Sequence, residues 1–468
     1  MIEHQWLPYL ESSIPSSINS DKITPYTVAL EGWRRGLTLK YYTVKSNNNI
    51  FIQFSLSDGN KEIKFPRSTG PNLTLEARKI CKNKLLTKRY LEKANIPVPK
   101  GRIFKAPIIQ DEIIKYAETL NYPVVIKPSD GKMGKGVIPG GRRILKKSFF
   151  HLGYSEIIME KHVYGEEYRV YVVDGEVIGA IKRIPAYIIG DGLTSIKKLI
   201  LHKNKKRKET PSLRSRPIKI NTEVKECISQ AGYTLDSILE KNKRLVLRKN
   251  SNVSSGGEPI DVTDELSDNI KQIAVNACKA IPGLPISGVD IIVDENIDSG
   301  YVLELNTAPG IASHLFPLEG KARNIPKAII DYYFPETSMH INPSSKKLYF
   351  DYPKIEKLLK SYVVKKIKLP SIPKGNLIFK SYIVEGVVQG VNYRRWIKKN
   401  AMNLELNGFA ENRKDGSVLV VVCGIQQKID QFNKIICHSA PPKAKVTNIK
   451  KLDWDKPIKI GFEIRKEK

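Results

Sequence analysis

A lysine at the end of an apolar run, followed by a glycine-rich loop, is the first candidate for chemistry. Lys127 closes the strand-length run Tyr122–Ile126, and the loop PSDGKMGKG follows at 128–136. Backbone N–H groups of glycines can surround phosphate oxygens, and a lysine at a strand end supplies a positive charge. A Gly- and Lys-rich surface turn without a ligand would look the same. The segment therefore indicates a phosphate site without establishing one.

Oxygen-bearing side chains on a second segment could hold a metal ion. In VDIIVDENIDSGYVLELN, residues 289–306, strand alternation places Glu304 and Asn306 on one face. Asp290 begins the partner strand, so a third oxygen can lie across from them. Mg²⁺ that bridges nucleotide phosphates takes such a sparse set of carboxylate and amide ligands. An ordinary polar hairpin face is the alternative, but it does not account for the NTAPG that follows. The residues predicted to face the core are Tyr301, Leu303 and Leu305.

Two predicted hairpins and one predicted helix must position these groups. The hairpin that ends at Asn306 is the second. The first has Asp174-Gly175 between two alternating apolar runs, which is the clearest hairpin signal in the chain. A helix is predicted from Thr74 to Ala94, closed by the breaker Asn95–Pro99.

Two basic segments are predicted to be irregular. Thr194 and Ser195 can cap a helix that runs through Leu201, and the Pro-containing stretch His202–Pro217 after it is predicted to be a mobile loop. Residues 336–375 are rich in Pro, Ser and Lys. We expect a linker there, with one short helix near Ile355–Ile367.

The net charge of +30 over 468 residues is the strongest signal in the composition. Residues 341–468 carry +16 of it, with 27 Lys and Arg against 11 Asp and Glu. Such a field attracts nucleic acid, acidic polymers, anionic lipid or nucleotides. The alternative is that a Lys-, Ile- and Asn-rich chain reflects a biased genome.

The remaining composition predicts a soluble multidomain protein of the cytoplasm. The chain is long enough for three or four domains and has no apolar run of membrane-spanning length. Its first residues lack the pattern of a secretory signal. The cysteines are odd in number and never spaced C-x-x-C, which favours free thiols over disulfides or a zinc site. They are Cys81, Cys227, Cys278, Cys423 and Cys437.

Longer motifs carry a specific resemblance. GVD-IIVD followed by VLELNTAPGIASHLFP resembles the metal-binding hairpin of ATP-grasp carboxylate–amine ligases, including D-alanine–D-alanine ligases. The stretches IGDGLTSIKKLI, RKNSNVSSGGEPIDVTDE and HLFPLEGKARNIPKAIIDYYFPE are similar to the ATP-grasp domain of cyanophycin synthetases and of bifunctional glutathione-synthesis enzymes. This resemblance covers about residues 28–335.

The resemblance implies an ATP site and a metal site. The positions that match the ATP-binding residues, from phosphates to hinge to ribose, are Lys84, Lys127, Glu160, Lys161, Val163 and Glu167. Those that match Mg²⁺ ligands, with Mn²⁺ as the alternative ion, are Asp290, Glu304 and Asn306. Arg183 and Arg248 match arginines that stabilise the transferring phosphoryl group and the tetrahedral intermediate. The glycine-rich segment Ser254–Pro259 would let backbone approach the acyl phosphate, or it is a plain loop.

Two departures limit what the resemblance implies about substrate. D-alanine–D-alanine ligases have a serine eleven positions after the metal-binding glutamate, and this chain has Leu315 there. This argues against D-alanine as the substrate. The muramyl-ligase half of cyanophycin synthetases has no counterpart after residue 335, so a cyanophycin product does not follow either.

The segment Phe379–Glu467 reads as strand, helix, hairpin, helix and strand pair, a ferredoxin-like βαββαβ order. In GVVQGVNYRRW, free N–H groups, a helix N-terminus and a guanidinium can converge on one phosphate. This motif and GFAENRKDGSV resemble acylphosphatases. By position, Arg394 matches the arginine that binds the substrate phosphate, and Asn412 matches the asparagine that orients the attacking water. A ligand-binding ferredoxin-like module is the alternative.

Together the two resemblances imply an α+β multidomain protein. An ATP-grasp fold, with two α+β lobes gripping ATP plus an N-terminal lobe, would be followed by a ferredoxin-like acylphosphatase domain. The expected domains are 1–75 (N-terminal lobe), 76–335 (ATP-grasp core), 336–375 (basic linker) and 376–468 (acylphosphatase-like). The expected function is an ATP- and Mg-dependent ligase that joins a carboxylate to an amine through an acyl phosphate, with a fused acylphosphatase.

Two other functions and several partners stay open. Acylphosphatase activity could be primary beside a regulatory or inactive ATP site, or the charge could mark a polyanion-binding protein. Nucleic acid is not expected, because the chain has no recognition module or aromatic platform. The expected substrate is an amino acid or an acidic peptide, and a homo-oligomer remains open.

Overall fold

The structure, a computed structural model, describes residues 4–46, 49–105, 110–128, 138–140, 156–294, 296–340, 342–373 and 375–466. The chain divides into two compact units. The first comprises Met1–Trp6, Asn19–Thr24 and Arg67–Tyr332. The second comprises Leu7–Ile18, Pro25–Pro66 and Tyr333–Lys468.

The described α-helices are α1 (Pro8–Glu11), α2 (Ser20–Arg34), α3 (Leu75–Lys82), α4 (Lys84–Lys93), α5 (Gln110–Thr119), α6 (Ile196–Glu209), α7 (Thr222–Gln230), α8 (Asp268–Lys279), α9 (Ala312–Leu315), α10 (Ile325–Tyr333), α11 (Tyr352–Lys360), α12 (Tyr393–Asn403) and α13 (Gln426–His438). Short 3₁₀ turns lie at Val253–Ser255, Pro335–His340 and Pro343–Lys347. Among these helices, none has the length and apolar character that crossing a membrane requires.

The described strands are β1 (His4–Gln5), β2 (Thr38–Ser46), β3 (Asn49–Ser57), β4 (Glu62–Phe65), β5 (Gly101–Lys105), β6 (Val124–Pro128), β7 (Ile138–Gly140), β8 (Glu156–Lys161), β9 (Glu166–Val173), β10 (Glu176–Ile184), β11 (Tyr187–Ile189), β12 (Arg244–Val246), β13 (Glu258–Asp261), β14 (Ile286–Asp294), β15 (Ser299–Asn306), β16 (Gly320–Lys321), β17 (Leu348–Tyr349), β18 (Lys366–Lys368), β19 (Leu377–Val387), β20 (Asn407–Asn412), β21 (Val418–Ile425), β22 (Lys445–Asp453), β23 (Ile458–Lys459) and β24 (Phe462–Arg465).

Two sheets of the first unit carry most of the predicted nucleotide and metal residues, whereas Lys84 begins helix α4. One has the strand order β13-β10-β9-β14-β15, and the other has the order β5-β8-β6-β7. Helix α8 covers the five-stranded sheet, where Ala274 and Cys278 belong to the same buried cluster as Val289 and Val302. Asp290 and Arg169 alternate with the residues of this cluster along β14 and β9, so they lie on the opposite face of the sheet.

The hairpin predicted at Asp174-Gly175 is confirmed. These two residues connect β9 to β10 with φ angles of 48° and 79°, the left-handed conformation that a tight two-residue hairpin turn needs. The second predicted hairpin is also present, as β14 paired antiparallel with β15.

The predicted core face of β15 is wrong in part. The register passes from Asp290 opposite Glu304 to Ile291 opposite Val302, so Leu303 is an extra residue in a β-bulge. The bulge shifts the alternation, and Val302 joins Leu305 in the core while Tyr301 and Leu303 are only half-buried. Alternation alone could not predict this shift.

The single helix predicted from Thr74 to Ala94 is two helices, α3 and α4. Asn83 lies between them in an extended conformation, and its side chain accepts a hydrogen bond from the Leu86 N–H as the N-cap of α4. Asparagine caps helices well because its short side chain reaches the free N–H groups. The break therefore has a local cause that periodicity does not reveal.

The mobile loop predicted at His202–Pro217 is wrong over its first half, because α6 continues to Glu209. Lys203 donates to the Tyr187 carbonyl at 2.6 Å, and the buried Arg207 guanidinium donates to the Arg216 carbonyl at 2.9 and 3.1 Å. The helix ends before Thr210, which is extended because a residue before proline avoids the helical conformation. A basic, proline-containing composition therefore does not exclude a helix whose charged side chains are held by backbone carbonyls.

In the second unit, the segment predicted as a linker forms ordered structure. Strand β18 adds to β2 in a sheet of order β18-β2-β3-β4, and α11 packs on that sheet. The helix predicted near Ile355–Ile367 instead ends at Lys360, where Tyr362 takes a left-handed φ of 62°. The domain boundaries drawn from the sequence stay predictions.

The C-terminal part of the second unit has the predicted βαββαβ order. Its sheet has the order β22-β19-β21-β20-β24, and helices α12 and α13 pack against it. Residues of both helices, including Ile397 and Phe432, are buried with Val420 of the central strand. The short strand β24 forms one edge of this sheet and pairs parallel with β20.

Candidate functional site

Three charged residues form a row across neighbouring strands of the five-stranded sheet. Asp290 on β14 lies opposite Glu304 on β15 and, on its other side, opposite Arg169 on β9. Asn306 lies two residues beyond Glu304, opposite Gly288. The pairing register therefore brings the three predicted metal ligands to one end of this hairpin.

Two arginines neutralise Asp290. Arg169 makes a bidentate pair with it, with Nε–Oδ1 and Nη2–Oδ2 distances of 2.7 and 2.6 Å. Arg183 on β10 lies 3.3 Å from Asp290 Oδ1 and donates to Glu167 at 2.6 Å. Bidentate guanidinium pairing fixes a carboxylate in direction as well as in charge. Asp290, buried at 4% exposure, is thus held as an anion.

The pKa values of the two carboxylates of the row are shifted in opposite directions. Burial by itself raises the pKa of Asp290, but Arg169 and Arg183 outweigh it and lower the pKa to about 2. Burial and the neighbouring Asp290 charge raise the pKa of Glu304. Because the two adjacent carboxylates repel each other, a cation bound between them would stabilise their negative charges.

The oxygen donors of the row fit a hard divalent cation. Asp290 and Glu304 offer carboxylates, and the Asn306 side-chain oxygen accepts a hydrogen bond from the Ala308 N–H at 3.1 Å, which orients it. Among the described residues, no group of three or more His, Cys, Asp or Glu could hold a metal ion. Two carboxylates and one amide are instead typical of Mg²⁺ that takes its other ligands from phosphates and water.

Two lysines lie beside a buried glutamate on the sheet of order β5-β8-β6-β7. Glu160, at the end of β8, lies 2.5 Å from Lys127 Nζ and 3.3 Å from Lys88 Nζ. Lys84 donates to the Pro128 carbonyl at 3.4 Å. Its charge also acts on Glu304, where it lowers the pKa, although the larger effect of burial leaves that pKa raised overall. Lys84 therefore lies close to both the end of β6 and the carboxylate row.

The predicted hinge residues follow the same strand. The Lys161 N–H donates to the Lys100 carbonyl at 2.7 Å while its side chain is exposed, and Val163 lies half-buried in the segment that leads to β9. The glycine-rich loop after Lys127 lies outside the described residues from position 129 to 136. Its contact with phosphate stays a prediction.

A second candidate site lies in the C-terminal sheet. Arg394, at the start of α12, donates to the Arg465 carbonyl on β24 at 3.2 Å, and Asn412 ends β20. The Gln389 side chain donates to the Arg413 and Ser417 carbonyls, both at 2.9 Å, and so ties the loop before α12 to the turn after Asn412. The Asn412 side-chain oxygen is buried and has no hydrogen-bond partner among the described residues. A buried acceptor of this kind can hold a water molecule.

Family models match both regions. The model described as RimK-like ATP-grasp domain matches residues 81–188, and the acylphosphatase model matches residues 380–464. The chain contains an ATP-grasp domain and a C-terminal acylphosphatase domain. Both families are enzymes, which form C–N bonds and hydrolyse acyl phosphates respectively. The two resemblances predicted from the motifs are thereby confirmed.

Curated relatives match about half of the chain. A glutathione biosynthesis bifunctional protein of Pasteurella multocida is 33% identical over 273 residues, covering 55% of this chain and 36% of that protein. A cyanophycin synthetase of Trichormus variabilis is 33% identical over 265 residues, covering 54% and 29%. The crystal structure of a bifunctional glutathione synthetase from Pasteurella multocida has 27% identity and a TM-score of 0.48, covering 63% of this chain and 41% of that one. The chain thus spans about a third of the length of these curated relatives.

Of the two arginines assigned to the ATP-grasp reaction, the structure brings one into the row. Arg183 contacts Asp290, whereas Arg248 is buried against Glu223 at the start of α7 and donates to Asn221 at 3.2 Å. Ser251, three residues after Arg248, donates to Glu167. Arg248 is therefore connected to the row through its own chain segment, and its role stays a prediction.

Sequence reasoning missed three residues near the ATP-grasp site. Arg169 lies two positions after Glu167 on the same strand face, and Lys88 lies one helical turn after Lys84, so spacing could have found both. His314 gave no such signal. It is buried beside Tyr171, with ring centroids 5.6 Å apart, and neither of its nitrogens has a hydrogen-bond partner among the described residues.

His314 is expected to make stability of the ATP-grasp unit depend on pH. Burial, followed by the nearby Arg169, Arg183 and Arg323 charges, lowers its pKa to about 3. An unfolded histidine titrates near 6.5, so below that pH the unfolded chain binds a proton that the folded chain refuses. The contribution of His314 to the free energy of unfolding is therefore complete above pH 6.5 and decreases as the pH falls toward 3.

The measurement is the free energy of unfolding against pH for the wild type and for His314→Gln, which cannot titrate. Relative to the variant, the wild type should lose up to about 1.4 kcal/mol per pH unit between about pH 6 and 4. Parallel curves over this range would contradict a buried neutral histidine.

Proposed function

We propose that the protein is an ATP- and Mg²⁺-dependent ligase that joins a carboxylate to an amine through an acyl phosphate, and that its second domain hydrolyses acyl phosphates. The observation that carries the ligase proposal is the row in which Asp290 lies between Glu304 and Arg169, with Arg183 against the same carboxylate. Metal-binding oxygens and guanidinium groups are adjacent there, as phosphoryl transfer to an oxygen anion requires.

The proposed reaction has two steps. The substrate carboxylate attacks the γ-phosphorus of ATP, the bond to the β-phosphate oxygen breaks, and ADP leaves. The amine then attacks the acyl carbon, inorganic phosphate leaves, and a proton is lost from nitrogen. In this scheme Lys84 and Lys127 hold phosphate oxygens, and Arg183 and Arg248 meet the negative charge that develops. No covalent enzyme intermediate is needed, because positioning and charge neutralisation supply the catalysis.

The cofactor set is proposed to be ATP with Mg²⁺, or Mn²⁺ in its place. ATP-grasp enzymes bind ATP and typically Mg²⁺. Here Asp290, Glu304 and Asn306 would hold the ion, which when bound neutralises phosphate charge. In the structure Arg169 already satisfies both Asp290 oxygens, and it lies 3.9 Å from Glu304. Glu304 is therefore the more available carboxylate for the ion.

The adenine and ribose contacts are proposed from position. Glu160, Lys161 and Val163 would contact adenine at the end of β8, and Glu167 would contact the ribose. The ion pair between Glu160 and Lys127 supports this proposal, because it holds a phosphate-binding lysine at the hinge.

The substrate is proposed to be an amino acid or peptide rich in carboxylates. ATP-grasp homologues of this chain include ligases that act on amino acids or peptides. Helix α6 supports an acidic substrate: Lys203 and Arg207 are held internally, while its other basic residues are exposed. The exposed lysines are Lys197, Lys198, Lys205, Lys206 and Lys208.

Replacing three exposed lysines of α6 tests this substrate proposal. The variant changes Lys205, Lys206 and Lys208 to Gln and leaves the buried anchors intact. We expect the KM for an acidic peptide to rise about tenfold at low salt and the difference to shrink as salt increases, because exposed charges are screened. The matched control makes the same change at the exposed lysines Lys354, Lys357 and Lys360 of α11. Equal KM values in the two variants would remove the proposal.

In the acylphosphatase domain, Arg394 is proposed to bind the phosphate and Asn412 to orient the water that attacks phosphorus. The hydrogen bonds of Gln389 support this by holding the phosphate loop beside the end of β20. Gly386, at the start of that loop, has a φ of 118°, and a Cβ there would lie 2.1 Å from the Lys445 carbonyl oxygen. The loop's conformation thus depends on a glycine.

The pairing of the two activities has three explanations. The acylphosphatase could discharge stalled or misactivated acyl phosphates as an editing activity, set product length in a repeated ligation, or act on an unrelated metabolite. We favour editing because one domain is proposed to make the bond that the other is proposed to break.

The free thiols of all five cysteines support a reducing compartment, and we propose the cytoplasm.

The ligase proposal is tested by incubating the protein with Mg²⁺-ATP and paired pools of amino acids and acidic peptides. Amide should form only when both an acid and an amine are present. ADP should form in at least the same amount, because the acylphosphatase can hydrolyse part of the acyl phosphate before the amine attacks. ADP formation that is insensitive to every acid, with acyl phosphate hydrolysis intact, would favour the alternative in which acylphosphatase is the main activity.

A further inference from the structure

The phosphate-binding arginine of the acylphosphatase domain is held by an edge strand. Arg394 Nη1 donates to the Arg465 carbonyl at 3.2 Å, and Arg465 lies opposite Glu411, the residue before Asn412. Among the described strands, β24 pairs only with β20. An edge strand of four residues has few backbone hydrogen bonds, so its side chains help to fix its position.

A chain of ion pairs leads away from this strand. The Arg465 guanidinium lies 3.5 Å from the Phe409 ring centroid and donates from Nε to Glu463 at 2.7 Å. Glu463 is paired with Lys459, and Lys459 Nζ lies 3.2 Å from Asp351 Oδ2. Burial works against the charge on Lys459, but Glu463 and Asp351 raise its pKa overall.

The last residue of this series of ion pairs, Asp351, lies outside residues 380–464, which match the acylphosphatase family. Asp351 belongs to the segment Leu348–Asp351, whose strand β17 pairs parallel with β23. Within the same unit, the Leu348 carbonyl accepts from Arg34 at 2.8 Å, and Phe350 is buried against Trp33 and Tyr26. The segment is thus anchored on helix α2, in the N-terminal part of the chain.

We infer that Lys459, Glu463 and Arg465 are positioning residues that orient Arg394 toward the substrate phosphate, and that the segment Leu348–Asp351 holds them in place through Asp351. This inference rests on the proposed phosphate-binding role of Arg394. Asp351 lies outside the residues that match the acylphosphatase family. In this inference, the orientation of Arg394 therefore depends on a segment that is not part of the acylphosphatase domain.

The expected effect is on phosphate binding and not on the bond-breaking step. If β24 shifts, the Arg465 carbonyl no longer directs the guanidinium, and a bidentate grip on phosphate weakens. The loss of phosphate-binding free energy should be equal in the ground state and the transition state. Such a loss raises KM and leaves kcat unchanged. For one partly exposed ion pair we expect about a fivefold change in affinity.

Full-length variants test the inference. Lys459→Met removes the charge and keeps the stem, Lys459→Arg keeps the charge, and Asp351→Asn removes the anchor's charge while an asparagine can still cap α11. The matched control is Lys380→Met, because Lys380 pairs with Asp453 at the opposite edge of the same sheet. The measurements are kcat and KM for benzoyl phosphate, the dissociation constant of inorganic phosphate, and Tm.

We expect Lys459→Met and Asp351→Asn to raise the KM and the phosphate dissociation constant about fivefold with kcat within twofold of wild type. Lys459→Arg and Lys380→Met should match wild type. Unchanged KM in Lys459→Met, or a change equal to that in Lys380→Met, would overturn the inference, as would a lower Tm with unaltered phosphate binding. Wild type that binds phosphate without hydrolysing benzoyl phosphate would refute only the proposed activity, because the phosphate affinities still test the positioning. Wild type that does neither would refute both.

Discussion

Glu304→Gln is expected to reduce ATP-dependent amide formation by about a hundred- to a thousandfold while the ATP-grasp unit stays folded. Glutamine has the same shape, but it removes the negative charge that the proposed cation would need. The residue tolerates the change structurally because its side chain is 49% exposed and its nearest ion-pair partner, Arg169, is 3.9 Å away. The loss should therefore appear in kcat/KM and in the Mg²⁺ dependence, and not in Tm.

The control for Glu304→Gln is Glu166→Gln, an exposed residue on β9 that is 3.9 Å from Lys182. It makes the same chemical change on the same sheet and should leave the rate near wild type. Asp290→Asn would be a poorer test, since removing one partner of a buried ion pair costs about 3–5 kcal/mol and lowers stability as well as rate. A Glu304→Gln protein that keeps more than a tenth of the activity would contradict the metal assignment.

Asn412→Ala is expected to reduce acyl phosphate hydrolysis by about a hundred- to a thousandfold. The buried side-chain oxygen of Asn412 has no hydrogen-bond partner among the described residues, so the change removes the proposed acceptor for the attacking water and breaks no described contact. Hydrolysis of benzoyl phosphate measures the effect. The control is Asn448→Ala, an exposed asparagine on β22 that pairs with Glu385 at 3.1 Å.

The same variant decides among the three explanations for the fused acylphosphatase. If the domain edits, Asn412→Ala should increase the yield of amide per ATP consumed with a poor substrate, because fewer acyl phosphates are discharged. A change in product length with constant yield would instead indicate length control. An unchanged yield and length would remove both ideas and leave an unrelated metabolite as the substrate.

Local signals in the sequence predicted the parts of the fold that depend on local geometry. Asp174-Gly175 specifies its hairpin because both residues tolerate a positive φ. The pairing of Asp290 with Glu304 followed from two strands joined by a short turn. The bulge at Leu303 and the helix break at Asn83 could not be predicted in this way, since an extra residue in one strand and a side chain that turns back on its own backbone leave the hydrophobic pattern almost unchanged.

Long-range contacts account for what the sequence did not reveal about the sites. Arg169 pairs with a residue 121 positions away, and the pairing of Asp351 with Lys459 spans 108 positions. Arg207 looked like part of a basic run and proved to be a buried anchor for the Arg216 carbonyl. Composition indicates which charges are present, but only the register of the sheets determines which charges meet.

The central claim is that this protein activates carboxylates as acyl phosphates, and hydroxylamine trapping tests it most directly. The Asn412→Ala variant, which should not destroy the intermediate, is incubated with Mg²⁺-ATP, hydroxylamine and the acids that stimulate ADP release, and the products are read by mass spectrometry. We predict a hydroxamate whose mass identifies the activated acid. Its yield should fall when Glu304→Gln is added to Asn412→Ala as a double variant. ADP release without any hydroxamate would contradict it.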